Sequence, residues 1–397
     1  MSQIDYPDWQ ALLVGQRLPT ALLDLDALDE NIAAIAQRAA GTPIRLATKS
    51  IRCVQVLRHI LDSPLPCQGL LCYSAEEAVW LAGQGFDDLL VAYPTINRPT
   101  LHAVCDAVRA GAGITLMADC ESHLEHLQQL AETTGCILPV AFDLDMSFNL
   151  PSLRFGVYRS PLDTVEKVLL LYQRLMQCPA LRLDGVMGYE AQIAGVGDAI
   201  PGKMLESKVI RHLKQWAIPK ISARRKAMVD ALEQVGATLR FVNGGGTGSI
   251  ESTRSESVVT DIAVGSGFYS PVLFDYYRHF RHVPALFFAL EVSRQPNPDC
   301  VTCLGGGYIA SGAIGPGKVP QPWLPEGLQY HPNEGAGEVQ TPLFGSAARY
   351  LAPGQPVLFR HAKAGELCER FDSLQIVRHG QLVGQWQTYR GDGYCFE

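Results

Sequence analysis

A lysine at the end of an apolar run and two glycine-rich turns far downstream are the residues of this chain best suited to chemistry. Lys49 lies near the end of Ile44-Arg45-Leu46-Ala47-Thr48-Lys49-Ser50, and a helix-compatible stretch over 53–61 follows, so the lysine falls where a strand should end. An amine in that position can form a Schiff base with a carbonyl compound. The turns are Asn243-Gly244-Gly245-Gly246-Thr247-Gly248-Ser249 and, about twenty residues on, Gly265-Ser266-Gly267-Phe268-Tyr269. Glycines let backbone N–H groups approach an anion, and the hydroxyls of Thr247, Ser249 and Ser266 can add donors. Carbonyl condensation at one end and anion binding at the other is the chemistry these types offer.

The elements that must position them alternate. Short apolar strands are expected at 44–49, 69–73, 88–93, 113–118, 138–144, 181–189, 239–243 and 261–264, with helices at 74–82, 99–109, 120–134, 161–177 and 204–235. Eight strands alternating with helices predict an α/β fold, a closed (β/α)8 TIM-like barrel. Lys49 then ends strand one and points into the mouth. The two glycine turns end strands seven and eight, where barrels commonly bind phosphate. From about residue 283 the pattern becomes strands punctuated by Gly and Pro, at 285–293, 301–304, 356–359 and 374–378, which predicts a smaller β-rich C-terminal domain. The expected organisation is an N-terminal arm over 1–18 packing with the C-terminal domain, a barrel over 19–283 and a β-rich domain over 284–397. Asp26 is the expected N-cap of a helix whose apolar face is marked by residues 28, 32 and 35.

Composition excludes several classes. A formal charge of −7, with no basic cluster broader than Arg224-Arg225-Lys226, argues against a nucleic-acid partner, and that cluster is expected to be a solvated face. No apolar run is long enough for a membrane span, and nothing at the N-terminus resembles a secretory signal. Eleven cysteines scattered through strands and helices predict free thiols in a reducing, cytoplasmic compartment. Cys300-Val301-Thr302-Cys303 has redox or zinc spacing, but no second pair completes four ligands.

A phosphate cup opposite a lysine suggests pyridoxal 5′-phosphate, with the lysine supplying the imine, the cup anchoring the phosphate and the ring acting as electron sink. The stretch 19–25, the Lys49 motif, the Gly/Thr/Ser loop, the Gly265-to-Tyr269 turn and the β-rich region together resemble the alanine-racemase-type fold of pyridoxal phosphate enzymes. More narrowly, the chain resembles the D-threonine aldolase and D-serine dehydratase group. The resemblance implies that Lys49 is the Schiff-base lysine and the base for the α-proton. It implies a phosphate cup of Gly246, Thr247, Gly248 and Ser249 with Gly265, Ser266 and Gly267. Arg154 matches an arginine near the cofactor edge, against the alternative of an ordinary salt bridge. Tyr189 matches a position facing the cofactor ring, against the alternative of a core tyrosine. Asp24 and Asp26 are read as structural.

The resemblance also implies a histidine and, two residues on, a cysteine or aspartate that in members of that group bind a divalent metal near the substrate hydroxyl. Here the stretch reads His361-Ala362-Lys363, and an ammonium is a poor ligand that repels a metal. The expectation is no metal, with the Lys363 ammonium in its place and His361 beside the substrate. Cys368 is read as a buried thiol. The resemblance implies a small β-hydroxy D-amino acid as substrate, a retro-aldol or dehydration reaction, and a homodimer. Racemisation needs a second base, for which Tyr308 and His331 are candidates. A cofactor carrier without turnover, and a barrel binding a sugar phosphate, are the alternatives from other classes.

Overall fold

The computed structural model describes residues 4–151, 153–313 and 315–397. The barrel strands, or staves, are Ile44–Ala47, Cys67–Cys72, Leu89–Val91, Ile114–Ala118, Leu138–Asp143, Leu181–Gly188, Phe241–Gly244 and Asp261–Val264. They pair in that order and in parallel, and the last closes on the first with Ile262 opposite Ile44. All eight lie where the apolar runs placed them. Capping residues start the intervening helices: Ser74, Asn97 and Thr164 accept the N–H groups of Glu77, Thr100 and Lys167, which are otherwise orphaned at a helix start. Met204–Gln234 is one helix despite Pro219.

Two layers of side chains make the barrel a solid plug. Toward the N-terminal ends of the staves, the fully buried Arg45 pairs with Asp261 and Asp88, both at 3.0 Å, while Arg240 reaches Asp88 at 3.0 Å and Asp184 at 2.7 Å. Burial works to raise the carboxyls of Asp88 and Asp184, but the guanidiniums outweigh it and hold both below the ordinary value. Further along, Leu90, Ala92, Met117, Ala141, Met187 and Phe241 pack as one apolar cluster. The ionic and apolar layers leave the C-terminal rim for chemistry.

The contacts divide the chain into two compact units. One runs to Ile35 and adds Ser50–Ser63 and Ser266–Cys395; the other is Ala36–Lys49, Pro64–Gly265 and Phe396–Glu397. The first is built on a nine-stranded sheet in which Leu286–Asn297 pairs antiparallel with Pro356–Arg360 and with Thr20–Asp24. Thr20–Asp24 also runs parallel to Ser373–Arg378, so it belongs to this sheet, not to the barrel region that begins at residue 19 in the sequence reading. A five-residue strand buried on both faces reads alike in either setting. The helix Tyr6–Leu12 packs here too, with Trp9 edge-on to Phe287 at 4.8 Å.

A second correction concerns the next helix. Asp24, and not Asp26, accepts the N–H groups of Asp26 and Ala27 at its start, while Asp26 accepts the His379 N–H. The described cysteines are all free, and Cys300 and Cys303 lie buried in one strand of this sheet. No helix among the described residues is long and apolar enough to cross a membrane.

Candidate active site

The rim of the barrel unit gathers side chains from the ends of four staves. Lys49 sits in a single 3₁₀ turn, Thr48–Ser50, directly after the first stave, and its side chain is exposed. Its Nζ lies 5.9 Å from the ring centre of Tyr93, which follows the third stave. On that same ring lies Arg159, with Cζ 4.8 Å from its centre and 5.9 Å from that of Tyr189, which follows the sixth stave. Arg159 is held by Asp143 at 2.6 Å, the last residue of the fifth stave, and donates to the Ala92 carbonyl at 2.8 Å.

The electrostatics follow from burial and partners. Asp143 is 1% exposed, its Oδ1 has no hydrogen-bond partner, and burial pushes its carboxyl up to about 6 against the pull of Arg159, with Asp119 and Asp145 adding to the rise. Tyr189 is pushed up to about 12, by burial first and by the adjacent Glu190 second. Arg159 is raised above its ordinary value: Asp143 outweighs burial, so the guanidinium is a permanent cation at the rim.

Sequence reasoning missed Tyr93, Asp143 and Arg159, although each ends or follows an expected strand. It singled out Arg154 instead, which the structure places in a hairpin of Phe148–Leu150 and Leu153–Phe155. There Arg154 bonds Asp145 at 2.8 Å, Asn149 and the Val157 carbonyl, and stacks on Tyr158. The only available signal was position: Arg159 lies just past the hairpin, where the chain returns to the rim.

The glycine turn after the seventh stave is packed so tightly that side chains are excluded. Gly245 has a φ of +80°, and a Cβ there would lie 2.7 Å from Ile262 Cγ2, while one on Gly246 would lie 2.8 Å from Ala194 Cβ and 3.4 Å from Tyr189 Cε2. Beneath the turn is a buried carboxylate absent from the sequence reading. Glu190 accepts from the Gly245 N–H at 3.2 Å, the Ser249 hydroxyl at 2.9 Å, the Thr253 hydroxyl and Arg225 at 2.7 Å. The Ser249 proton is therefore directed at Glu190, and its oxygen accepts from the Gly246 N–H at 3.1 Å.

Arg225, expected on a solvated face, is fully buried between Glu190 and Glu256. Arg224 bonds the Asp145 and Ser147 carbonyls. A charge run on a helix gives no sign of which residue turns inward.

Other expected residues lie in the β-rich unit. The Ser266 hydroxyl is 2.9 Å from that of Ser50, and the Gly267 carbonyl is 3.1 Å from His282 Nδ1. His361 is 3% exposed, and burial followed by the nearby Arg360 charge drives it down to about 3 against the opposing pull of the Leu286 backbone, so the imidazole is neutral. Lys363 donates to Ser311 at 3.1 Å and lies 4.0 Å from Glu366. Tyr308 packs edge-on against Phe288 and Phe371, and His331 lies 3.8 Å from Glu334. Cys368 is buried against the Ile51 carbonyl.

Relatives share this architecture. The chain is 26% identical over 253 residues to a 3-hydroxy-D-aspartate aldolase of Paracoccus denitrificans, a match covering 62% of this chain and 59% of that one. It is 24% identical over 385 residues to a D-threonine aldolase of an Arthrobacter species, covering 93% and 91%. The solved D-threo-3-hydroxyaspartate dehydratase from Delftia sp. HT23 superposes with a TM-score of 0.77 at 18% identity, over 95% of this chain and 98% of that one. Residues 23–270 match the family model of the alanine racemase N-terminal domain, and it is to this family that the chain belongs.

Proposed function

We propose that the protein is a pyridoxal 5′-phosphate-dependent enzyme that cleaves or dehydrates a small β-hydroxy D-amino acid, with Lys49 carrying the cofactor. The observation that supports this most is the exposed Lys49 amine at the end of the first stave, beside Tyr93 and within the group of Arg159 and Tyr189. The glycine turn after the seventh stave supports a phosphate site by its place, since barrels commonly bind phosphate there through backbone N–H groups, and its glycines are held close against Ile262, Thr253 and Ala194. The aldolase and dehydratase relatives support the substrate class.

When bound, the cofactor supplies an electron sink that makes bonds at an amino acid's α-carbon labile. The protein's own groups do the rest. Lys49, once its amine is released, takes the α-proton from one face. Tyr189 borders the ring position, and its raised pKa keeps the phenol protonated at neutral pH. Glu190 fixes the glycine turn from below, and the Arg159–Asp143 pair presents a fixed cation. Thr247, Gly248 and Gly265 belong with Gly246 to the proposed cup. Ser249 acts through its bond to Glu190.

A metal is not part of the proposal. In this chain His361 offers a neutral imidazole, but Lys363 brings an ammonium, and among the described residues no group of three ligand-type side chains includes His361. Cytoplasmic location, supported by the free thiols, and a homodimer complete the proposal.

Absorbance tests the cofactor assignment. A band at about 410–430 nm, shifted toward about 330 nm by borohydride and lost in Lys49→Ala, is expected of a cofactor-bearing lysine. D-threonine, D-serine and 3-hydroxy-D-aspartate should then yield aldehyde or keto-acid products. Absence of the band with excess pyridoxal phosphate refutes the proposal; a band without turnover of any amino acid points to a carrier.

A further inference from the structure

Lys49 must present a neutral amine to attack an aldehyde, because an ammonium, with one proton more, has no lone pair to give. A nearby group has to take that proton. The geometry points to Tyr93 as the proton acceptor for the Lys49 ammonium, an inference that rests on Lys49 as the cofactor-bearing lysine. The Tyr93 ring lies between two cations, Lys49 Nζ at 5.9 Å and Arg159 Cζ at 4.8 Å from its centre. Asp143 anchors Arg159 at 2.6 Å and the Ala92 carbonyl holds it at 2.8 Å, so the second cation is fixed in place.

Two cations stabilise a phenolate. Burial works to raise the Tyr93 phenol, but Lys49 and Arg159 together outweigh it and leave it below the ordinary tyrosine value, with Asp143 opposing them. The ionisable groups facing this phenol are Lys49 from the turn after the first stave, Arg159 from the chain beyond the hairpin, and Asp143 from the fifth stave. Tyr189, the other tyrosine facing Arg159, is raised, so the two tyrosines of the rim are shifted in opposite directions. In the transfer an N–H bond of the ammonium breaks and an O–H bond of the phenol forms. The pair passes from ammonium and phenolate to amine and phenol without any change in total charge.

The test reads cofactor loading rather than turnover. The full-length chain, stripped with hydroxylamine and mixed with pyridoxal phosphate, is followed by growth of the visible band across a range of pH. Tyr93→Phe should load about 10²-fold more slowly at pH 7 and recover toward wild type in strong base, where hydroxide takes the lysine proton directly. In the stripped wild-type chain one tyrosine should ionise ahead of the others by tyrosinate absorbance, a step missing in Tyr93→Phe and displaced upward in Arg159→Met. Loading of Tyr93→Phe at the wild-type rate at every pH, or slowed equally at every pH, overturns the inference while leaving Lys49 in its role. A wild-type chain that forms no band overturns the Lys49 assignment itself.

Discussion

Replacing His361 by leucine should flatten the acid side of the stability curve. The imidazole is 3% exposed, and its pKa falls to about 3 from an ordinary 6.5. A folded value below the unfolded one means that the unfolded chain binds the proton first. Stability is therefore lost progressively as pH falls from the unfolded value toward the folded one. Each unit of pH in that window removes about 1.4 kcal/mol, so the step from pH 7 to pH 5 should remove about 2 kcal/mol through this residue alone. At pH 7 itself the substitution should cost no more than about 1 kcal/mol, since an apolar side chain of similar size gives up only the ring's interaction with the Leu286 backbone. Urea unfolding of both proteins at pH 7 and pH 5 measures the difference. If His361→Leu loses as much stability between those pH values as wild type, the ring is not held neutral in the folded chain, and its burial has been misjudged.

Two further outcomes follow from buried charge. Glu190→Gln leaves Arg225 with Glu256 alone and sets an amide against donors on Gly245, Ser249 and Thr253; breaking one arm of a buried pair costs about 3 kcal/mol, measurable by urea unfolding. The same variant should bind pyridoxal phosphate about tenfold more weakly by absorbance titration, because one of the two oxygens that accept from Gly245, Ser249 and Thr253 becomes an NH2 donor and the turn loosens. Protein purified without chelator should carry no stoichiometric metal and keep its activity in EDTA; one tightly held zinc or manganese per chain would refute the assignment of Lys363 in place of a ligand.

Periodicity and turn chemistry carry nearly all of the barrel because each stave is a short apolar run followed by a helix of period 3.6, and the chain visits the staves in sequence order. Thr20–Asp24 escaped that logic. Its partners, Leu286–Asn297 and Ser373–Arg378, lie more than two hundred residues away, and no local pattern encodes such a pairing. The site divides in the same way. Lys49 and the glycine turn announce themselves, one by its place after an apolar run and the other by a composition that only a close backbone approach requires.

Tyr93, Asp143, Arg159 and Glu190 have no such local mark, because each owes its character to a neighbour supplied by another stave. The contrast between Arg154 and Arg159 isolates the cause. Five residues separate two identical side chains, and a hairpin turns one toward Asp145 while the chain carries the other back over Tyr93. A motif identifies the kind of group a site needs, whereas the fold decides which copy of that group meets the charge it must balance. Asp143 makes the point from the acid side: it is buried enough to resist ionising, and a single guanidinium sets how much of that resistance remains. The electrostatics of the rim thus belong to the closed barrel, where residues far apart in sequence fix each other's charge.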